Sequence, residues 1–94
     1  MAESVLQQVF AIVEDRKIHA PEGSYTAQLY AAGETEVLKK LGEEAVEVIV
    51  AASQQTEERI VYELADLIYH SMVLLAMRGL TWQGVEQELA RRIK

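Results

Sequence analysis

Five carboxylates carry the chemical promise of this chain: Glu43, Glu44 and Glu47, then, after a polar break at Ser53 to Thr56, Glu63 and Asp66. At about 100° per residue, Lys40, Glu44 and Glu47 share one helical sector, with Glu43 at its edge. In the next segment Arg59, Glu63, Asp66 and His70 share a sector in the same way. Apolar residues crowd both stripes. Leu38, Leu41, Ala45, Val48, Ile49 and Ala52 lie opposite the first, with Val46 and Val50 on the remaining side. Leu64, Leu67, Ile68, Met72, Leu74 and Leu75 cover another sector of the second. A helix that is apolar nearly all round is expected to be buried, so each stripe reads as a polar seam in an apolar cylinder.

Acids gathered in such seams either hold on to their protons or need a counter-charge. Arg59 and Lys40, each one turn from a glutamate, supply part of it. A hard divalent cation supplies more, and all-oxygen ligation without any Cys favours Mg²⁺ or Mn²⁺ over zinc. Such an ion keeps some of its waters, accepts phosphate oxygens and can activate a water as nucleophile. Glu44, Glu47, Glu63 and Asp66 are assigned as its ligands, and these four with Glu43 as the catalytic group. Glu43 either orients a water, meets a second ion, or is a plain surface acid. A single acidic pair three residues apart is ordinarily a solvated helix face. Two pairs on consecutive helices, each in a narrow seam, shift the balance toward a metal or polyphosphate site.

The elements that must position these acids follow from the short break between the segments, which makes the two helices antiparallel neighbours. Positions 47 and 63, 44 and 66, and 40 and 70 share one midpoint, Gln55. A turn centred there sets Glu47 level with Glu63, and Glu44 level with Asp66, roughly 12–17 Å from the turn at about 1.5 Å per residue. Lys40 and His70 form the next layer.

The rest of the chain reads as shorter helices around this hairpin. Val5, Leu6, Val9, Ile12 and Val13 recur at helical spacing in a first helix from Ser4 to about Ile18. Pro21-Glu22-Gly23-Ser24 is a loop, and Ser24-Tyr25-Thr26 caps a second helix that ends at Ala32 before Gly33. The long pair spans Thr35 to about Ser53, then, from a Thr56 cap, to about Met77 or Arg78. Gly42, inside the first of them, serves packing or substrate approach, or is simply tolerated. Thr81 caps a fifth helix to about Ile93, with Trp82 as packing anchor. The expected fold class is all-α, one domain over residues 1–94. So short a chain, with more apolar surface on its long helices than three short ones can cover, is expected to associate.

A net charge of -6 argues against a general nucleic-acid binder. The apolar runs are interrupted by charges before the length of a membrane span, and Met1 to Phe10 lacks the basic and apolar regions of a signal peptide. No nucleic acid and no membrane are therefore expected as partners, and a cysteine-free chain agrees with a cytoplasmic setting.

The acidic pattern resembles the EExxE followed by ExxD of the all-α NTP pyrophosphatase superfamily. Within it, three stretches resemble the phosphoribosyl-ATP pyrophosphatase family of histidine biosynthesis. They are Pro21-Glu22-Gly23-Ser24-Tyr25-Thr26, Leu38-Lys39-Lys40-Leu41-Gly42-Glu43-Glu44, and Tyr62-Glu63-Leu64-Ala65-Asp66-Leu67-Ile68-Tyr69-His70. The resemblance spans nearly the whole chain. It implies Mg²⁺-dependent hydrolysis of 1-(5-phosphoribosyl)-ATP to the AMP compound and pyrophosphate, in a stand-alone form without the cyclohydrolase domain often fused to the family. It also implies a homodimer or higher homo-oligomer whose long helices complete a bundle.

For the nucleotide substrate, the resemblance of the Pro21 loop makes Ser24, Tyr25 and Thr26 contact residues, with Arg16 and Lys17 just before it. Lys39 and Lys40 are assigned to the triphosphate, and Lys40, on the acidic stripe, is the stronger choice; its plain alternative is a salt bridge to Glu44. Arg16 and Lys17 equally suit the C-terminal dipole of their own helix. His70 contacts phosphate or ribose, or is a satisfied core histidine. Tyr62 and Tyr69 lie off the stripe and read as core or interface. Two other readings remain: a pyrophosphatase of the same superfamily acting on (d)NTPs, and a non-catalytic helical dimerisation module.

Overall fold

The computed structural model describes residues 4–93. Five helices follow one another: α1 (Val5–Asp15), α2 (Tyr25–Ala32), α3 (Glu34–Gln54), α4 (Glu57–Met77) and α5 (Trp82–Arg91). The fold is all-α, with no strand among the described residues. Four helix starts are made by hydroxyl caps. Ser4, Ser24, Thr56 and Thr81 each accept the backbone N–H three residues on, from Gln7, Ala27, Arg59 and Gly84. Gln7 returns a hydrogen bond to the Ser4 N–H, completing a capping box. α1 ends earlier than its periodicity suggests, because Lys17, Ile18 and His19 fold back onto the carbonyls of Glu14 and Asp15. Gly33 joins α2 to α3 with φ at 98°, a left-handed backbone that only glycine adopts without strain.

Only Gln55 and Thr56 separate α3 from α4, and these two helices form the most extensive packing in the fold. The apolar core sits at the far end of the hairpin from that turn. Phe10 and Val13 of α1, Leu29 of α2, Val37 of α3, and Met72, Val73 and Ala76 of α4 are its buried members. Trp82 packs against it and anchors α5. Polar tethers tie the short helices to this end. The Tyr30 hydroxyl donates to the Val13 carbonyl at 2.7 Å, and Arg78 grips both carboxylate oxygens of Glu34 at 2.5 and 2.7 Å. Lys17 complements a helix C-terminus, but that of α4: its Nζ donates to the Ala76 carbonyl at 2.6 Å.

The expected burial of α3 is corrected by the structure. Its buried residues are Val37 and Ala51, while Leu38, Val46, Ile49 and Val50 are exposed. The reason is geometric: α4 packs against the side that carries Glu44, and the short helices lie at the other end of the hairpin. In α1, likewise, Phe10 and Val13 are buried whereas Val5, Leu6 and Ile12 are exposed. α4, at 21 residues, is the one helix among the described residues long and apolar enough by composition to cross a membrane. It nevertheless carries Glu63 and Asp66 midway, both turned to the acids of α3.

Candidate metal centre

The seam between α3 and α4 holds the site. Nearest the turn, Glu47 meets Glu63, and one level farther Glu44 meets Asp66. Oxygens of Glu44, Glu63 and Asp66 lie within 4.8 Å of one another. Glu63 is buried, although Arg59, one turn earlier, donates from Nη2 to its Oε1. The same guanidinium lies 4.5 Å over the Tyr62 ring, which helps to fix it. Glu47 stands at the exposed rim. With Val50, Gln55, Arg59 and Glu63 it lines a cleft of about 300 Å³ that opens the seam to solvent on the turn side.

The electrostatics of this seam are unfavourable without a cation. The Glu44 carboxyl is pushed up to about 7, first by burial and then by the charges of Asp66, Glu47 and Glu63 around it. That of Glu47 is also raised, chiefly by the proton it would share with Glu63 and by that group's charge, with Arg59 opposing. Two oxygens, Oε2 of Glu44 and Oε2 of Glu63, are buried without a hydrogen-bond partner among the described residues. Carboxylates can bond to one another only while one keeps a proton, so the ionised cluster leaves these oxygens with no donor. Orphaned carboxylate oxygens, converging and all of hard type, fit a divalent cation of the Mg²⁺ class.

The other sequence-assigned residues are distributed unequally. Lys40 is half-buried one turn before Glu44 and makes no ion pair among the described residues, so the alternative of a bridge to Glu44 is not realised. Glu43 and Lys39 are exposed on a different flank. There they line a shallow opening with Leu38, Gly42, Val46 and Glu47, and the Glu43 carboxylate is not one of the converging three. Arg16 is held by Asp15 at 2.8 Å and is near enough to Tyr69 to oppose the burial that raises its phenol. The Ser24 hydroxyl caps α2, and Thr26 is buried with its hydroxyl on that of Tyr69. The Tyr25 hydroxyl is bonded to His70, whose ring is buried and bonded on both nitrogens. The partnership of Tyr69 with Thr26 was not read from the sequence. Its signal is two adjacent pairs, Tyr25-Thr26 and Tyr69-His70, each able to make one bond across the same contact.

The family model for phosphoribosyl-ATP pyrophosphohydrolase matches residues 6–93. The chain belongs to this family. Among the relatives similar to it is the phosphoribosyl-ATP pyrophosphatase of Metallosphaera sedula, 51% identical over 90 residues that cover 96% of this chain and 97% of the relative. The corresponding protein of Saccharolobus solfataricus is 43% identical over 94 residues, the full length of both. A histidine biosynthesis bifunctional protein HisIE of Caldanaerobacter subterraneus is 44% identical over 90 residues, 96% of this chain and 44% of that longer relative. As a member of the pyrophosphohydrolase family the chain is a hydrolase, and it has an acidic cluster able to hold a metal.

Proposed function

We propose that this chain, residues 1–94 acting as one domain in the cytoplasm, hydrolyses 1-(5-phosphoribosyl)-ATP to 1-(5-phosphoribosyl)-AMP and pyrophosphate in histidine biosynthesis. The observation that carries the reading is the pair of buried, unpartnered carboxylate oxygens on Glu44 and Glu63, converging with Asp66. The names of the relatives supply the substrate. Glu44, Glu63 and Asp66 hold the ion, Mg²⁺ with Mn²⁺ as substitute, and Glu47 completes the set from the rim. Bound there, the cation neutralises phosphate oxygens and lowers the pKa of a water.

The residues of the chain do the positioning. Arg59 keeps Glu63 in place from one turn away. Lys40, half-buried and paired with no carboxylate among the described residues, offers its ammonium to the triphosphate one layer beyond Glu44. Arg16 approaches from the end of α1, and Tyr25 from the start of α2. Glu43 and Lys39 stay at the outer edge of the site, where Lys39 meets only the solvent end of the triphosphate. The net reaction adds water across one phosphoanhydride bond, and pyrophosphate leaves.

The same reading includes a homodimer. Leu38, Val46, Ile49 and Val50 of α3 recur along one flank, and Val61 and Leu64 of α4 are also exposed. A second copy laying its long helices on these flanks removes that apolar surface from water. The deciding experiment is Mg²⁺-dependent pyrophosphate release from phosphoribosyl-ATP beside a panel of dNTPs. Phosphoribosyl-ATP is expected to be turned over fastest, and EDTA to abolish release. Faster turnover of any dNTP overturns the substrate assignment.

A further inference from the structure

The first turn of α2 is stitched to the middle of α4 by two adjacent bonds. The Tyr25 hydroxyl lies 2.9 Å from Nε2 of His70, and the Thr26 hydroxyl is bonded to that of Tyr69. His70 also packs edge-on against both tyrosine rings, with centroids 5.9 Å apart in each case. Its Nδ1 lies 2.8 Å from the backbone carbonyl of Asp66. A carbonyl only accepts, so Nδ1 carries the proton, and in the neutral ring Nε2 is left as an acceptor. With that tautomer Tyr25 donates its one proton to His70. Its oxygen is left with lone pairs alone to offer outward.

That polarity restricts what Tyr25 can meet. Asp66, Glu44 and Glu36 all bear on its hydroxyl as negative charges. An acceptor-only oxygen has nothing to give a phosphate oxygen, itself an acceptor, and selects a hydrogen-bond donor. Its place narrows the donor further. The His70 that anchors it is four residues, about 6 Å of helix, from the Asp66 of the acidic cluster. In a nucleotide whose phosphates lie at the acids and reach Lys40 in this same layer, the nearest group that carries hydrogen-bond donors is the ribose. Of the neighbouring hydroxyls, Thr26 is buried against Tyr69, and Ser24 already accepts the Ala27 N–H that caps α2.

We infer that Tyr25 is the acceptor for a ribose hydroxyl of the nucleotide, and that buried His70 touches no substrate but is the positioning residue holding Tyr25 to the Asp66 carbonyl. This rests on the proposed pyrophosphohydrolase reading and assigns distinct roles within its site. Tyr25 thereby reads the sugar, while the acids and Lys40 read the phosphates.

The test measures kcat and KM with phosphoribosyl-ATP and with its analogue lacking the 2′ and 3′ hydroxyls of the adenosine ribose. Mn²⁺ affinity is followed by electron paramagnetic resonance in parallel. The intact protein is expected to show a KM about 5- to 10-fold higher for the analogue, the size of one neutral hydrogen bond. Tyr25→Phe keeps the ring and removes the oxygen. It is expected to raise KM for the natural substrate to the analogue's value and to erase the preference, with kcat and Mn²⁺ affinity within about twofold. His70→Leu is expected to reproduce that loss, and His70→Gln, which restores an acceptor, to recover part of the preference. The double variant Tyr25→Phe/His70→Leu should be no worse than Tyr25→Phe. Should His70→Leu not fold, Tyr25→Phe and His70→Gln decide the matter. A Tyr25→Phe protein that still prefers the natural sugar, loses affinity for both substrates alike, or loses Mn²⁺ affinity overturns the assignment. Pyrophosphate release by the intact protein tells the two readings apart: its absence fells both, its presence beside an unaltered Tyr25→Phe fells this one alone.

Discussion

At the open end of the hairpin, α4 presents Met72, Val73 and Ala76 to Phe10, Val13, Leu29 and Val37, and all seven are buried. Toward the turn, the same two long helices press Glu44 and Glu47 against Asp66 and Glu63. One end gains stability from every residue it buries. The other gives some of it up, because like charges are confined and two oxygens go without a donor. The contrast teaches that the acidic seam is not part of what holds this fold together. It is tolerated because an apolar core elsewhere on the same helices outweighs it, and the net stability of a small domain leaves little room for such a cost unless it serves a ligand.

Substitutions at the two ends should therefore act on different observables. The largest effect is expected from Glu47→Gln, which removes a charge from the seam: pyrophosphate release falls by about a thousandfold or more, while the circular dichroism and the metal-free melting temperature hold or rise. An active Glu47→Gln protein would remove the seam from the chemistry. Met72→Ala, at the other end, should cost about 2–5 kcal/mol in urea denaturation, the price of a cavity in a packed core. Its residual folded fraction should still release pyrophosphate. If Met72→Ala lost activity without losing stability, the division between the ends would fail.

Ligand and proton are expected to act on the seam alone. Mg²⁺ at a hundred times its Kd should stabilise the chain by about 2.7 kcal/mol, seen as a rise in melting temperature that EDTA reverses. Without metal, the raised Glu44 carboxyl sets the sign of the pH dependence. Its folded pKa of about 7 lies above the ordinary 4.5, so the folded chain binds that proton more tightly than the unfolded one. Stability should then fall as pH rises from about 4.5 to about 7, and the slope should flatten when Mg²⁺ is added. A metal-free stability that climbs over this window would contradict the crowding of the acids. The smallest effect belongs to Gly42, exposed within α3, where an added Cβ meets nothing within 4 Å. Gly42→Ala should raise helix stability by about 0.5–1 kcal/mol in thermal melts. A loss of stability together with a shift to monomer in light scattering would instead show that a partner helix needs the bare backbone there.

Much of this contrast was legible in the sequence. Hydroxyl caps at Ser24, Thr56 and Thr81 sit at the helix starts where their residue types suggested, since capping depends on only a few neighbouring residues. The acids could be counted into levels because helical rise is uniform. What could not be read was which flank of an all-round apolar helix is covered. Leu38 and Ile49 are as hydrophobic as any core residue and lie exposed, whereas Val37 is fully buried. Periodicity specifies a face relative to its own helix, and only the placement of the other helices decides which face is inside. The partner of Thr26 was hidden for a related reason. A hydroxyl in a motif does not reveal whether the backbone or a distant tyrosine has already taken it.

The connection of Gln55 and Thr56 has a consequence for how this chain can change. It is closed on one side by the Gln55 N–H on the Ala51 carbonyl, and on the other by the Arg59 N–H on the Thr56 hydroxyl oxygen. With so little slack, the turn works as a ruler. A slip of one residue between the helices would shift the facing acids by about 1.5 Å and rotate them by about 100°, scattering the cluster. The stretch from residue 18 to residue 23 has no such duty and can lengthen at its surface with small entropic cost. Insertions should therefore be borne in that outer loop and refused at the hairpin turn, even though both are exposed connections.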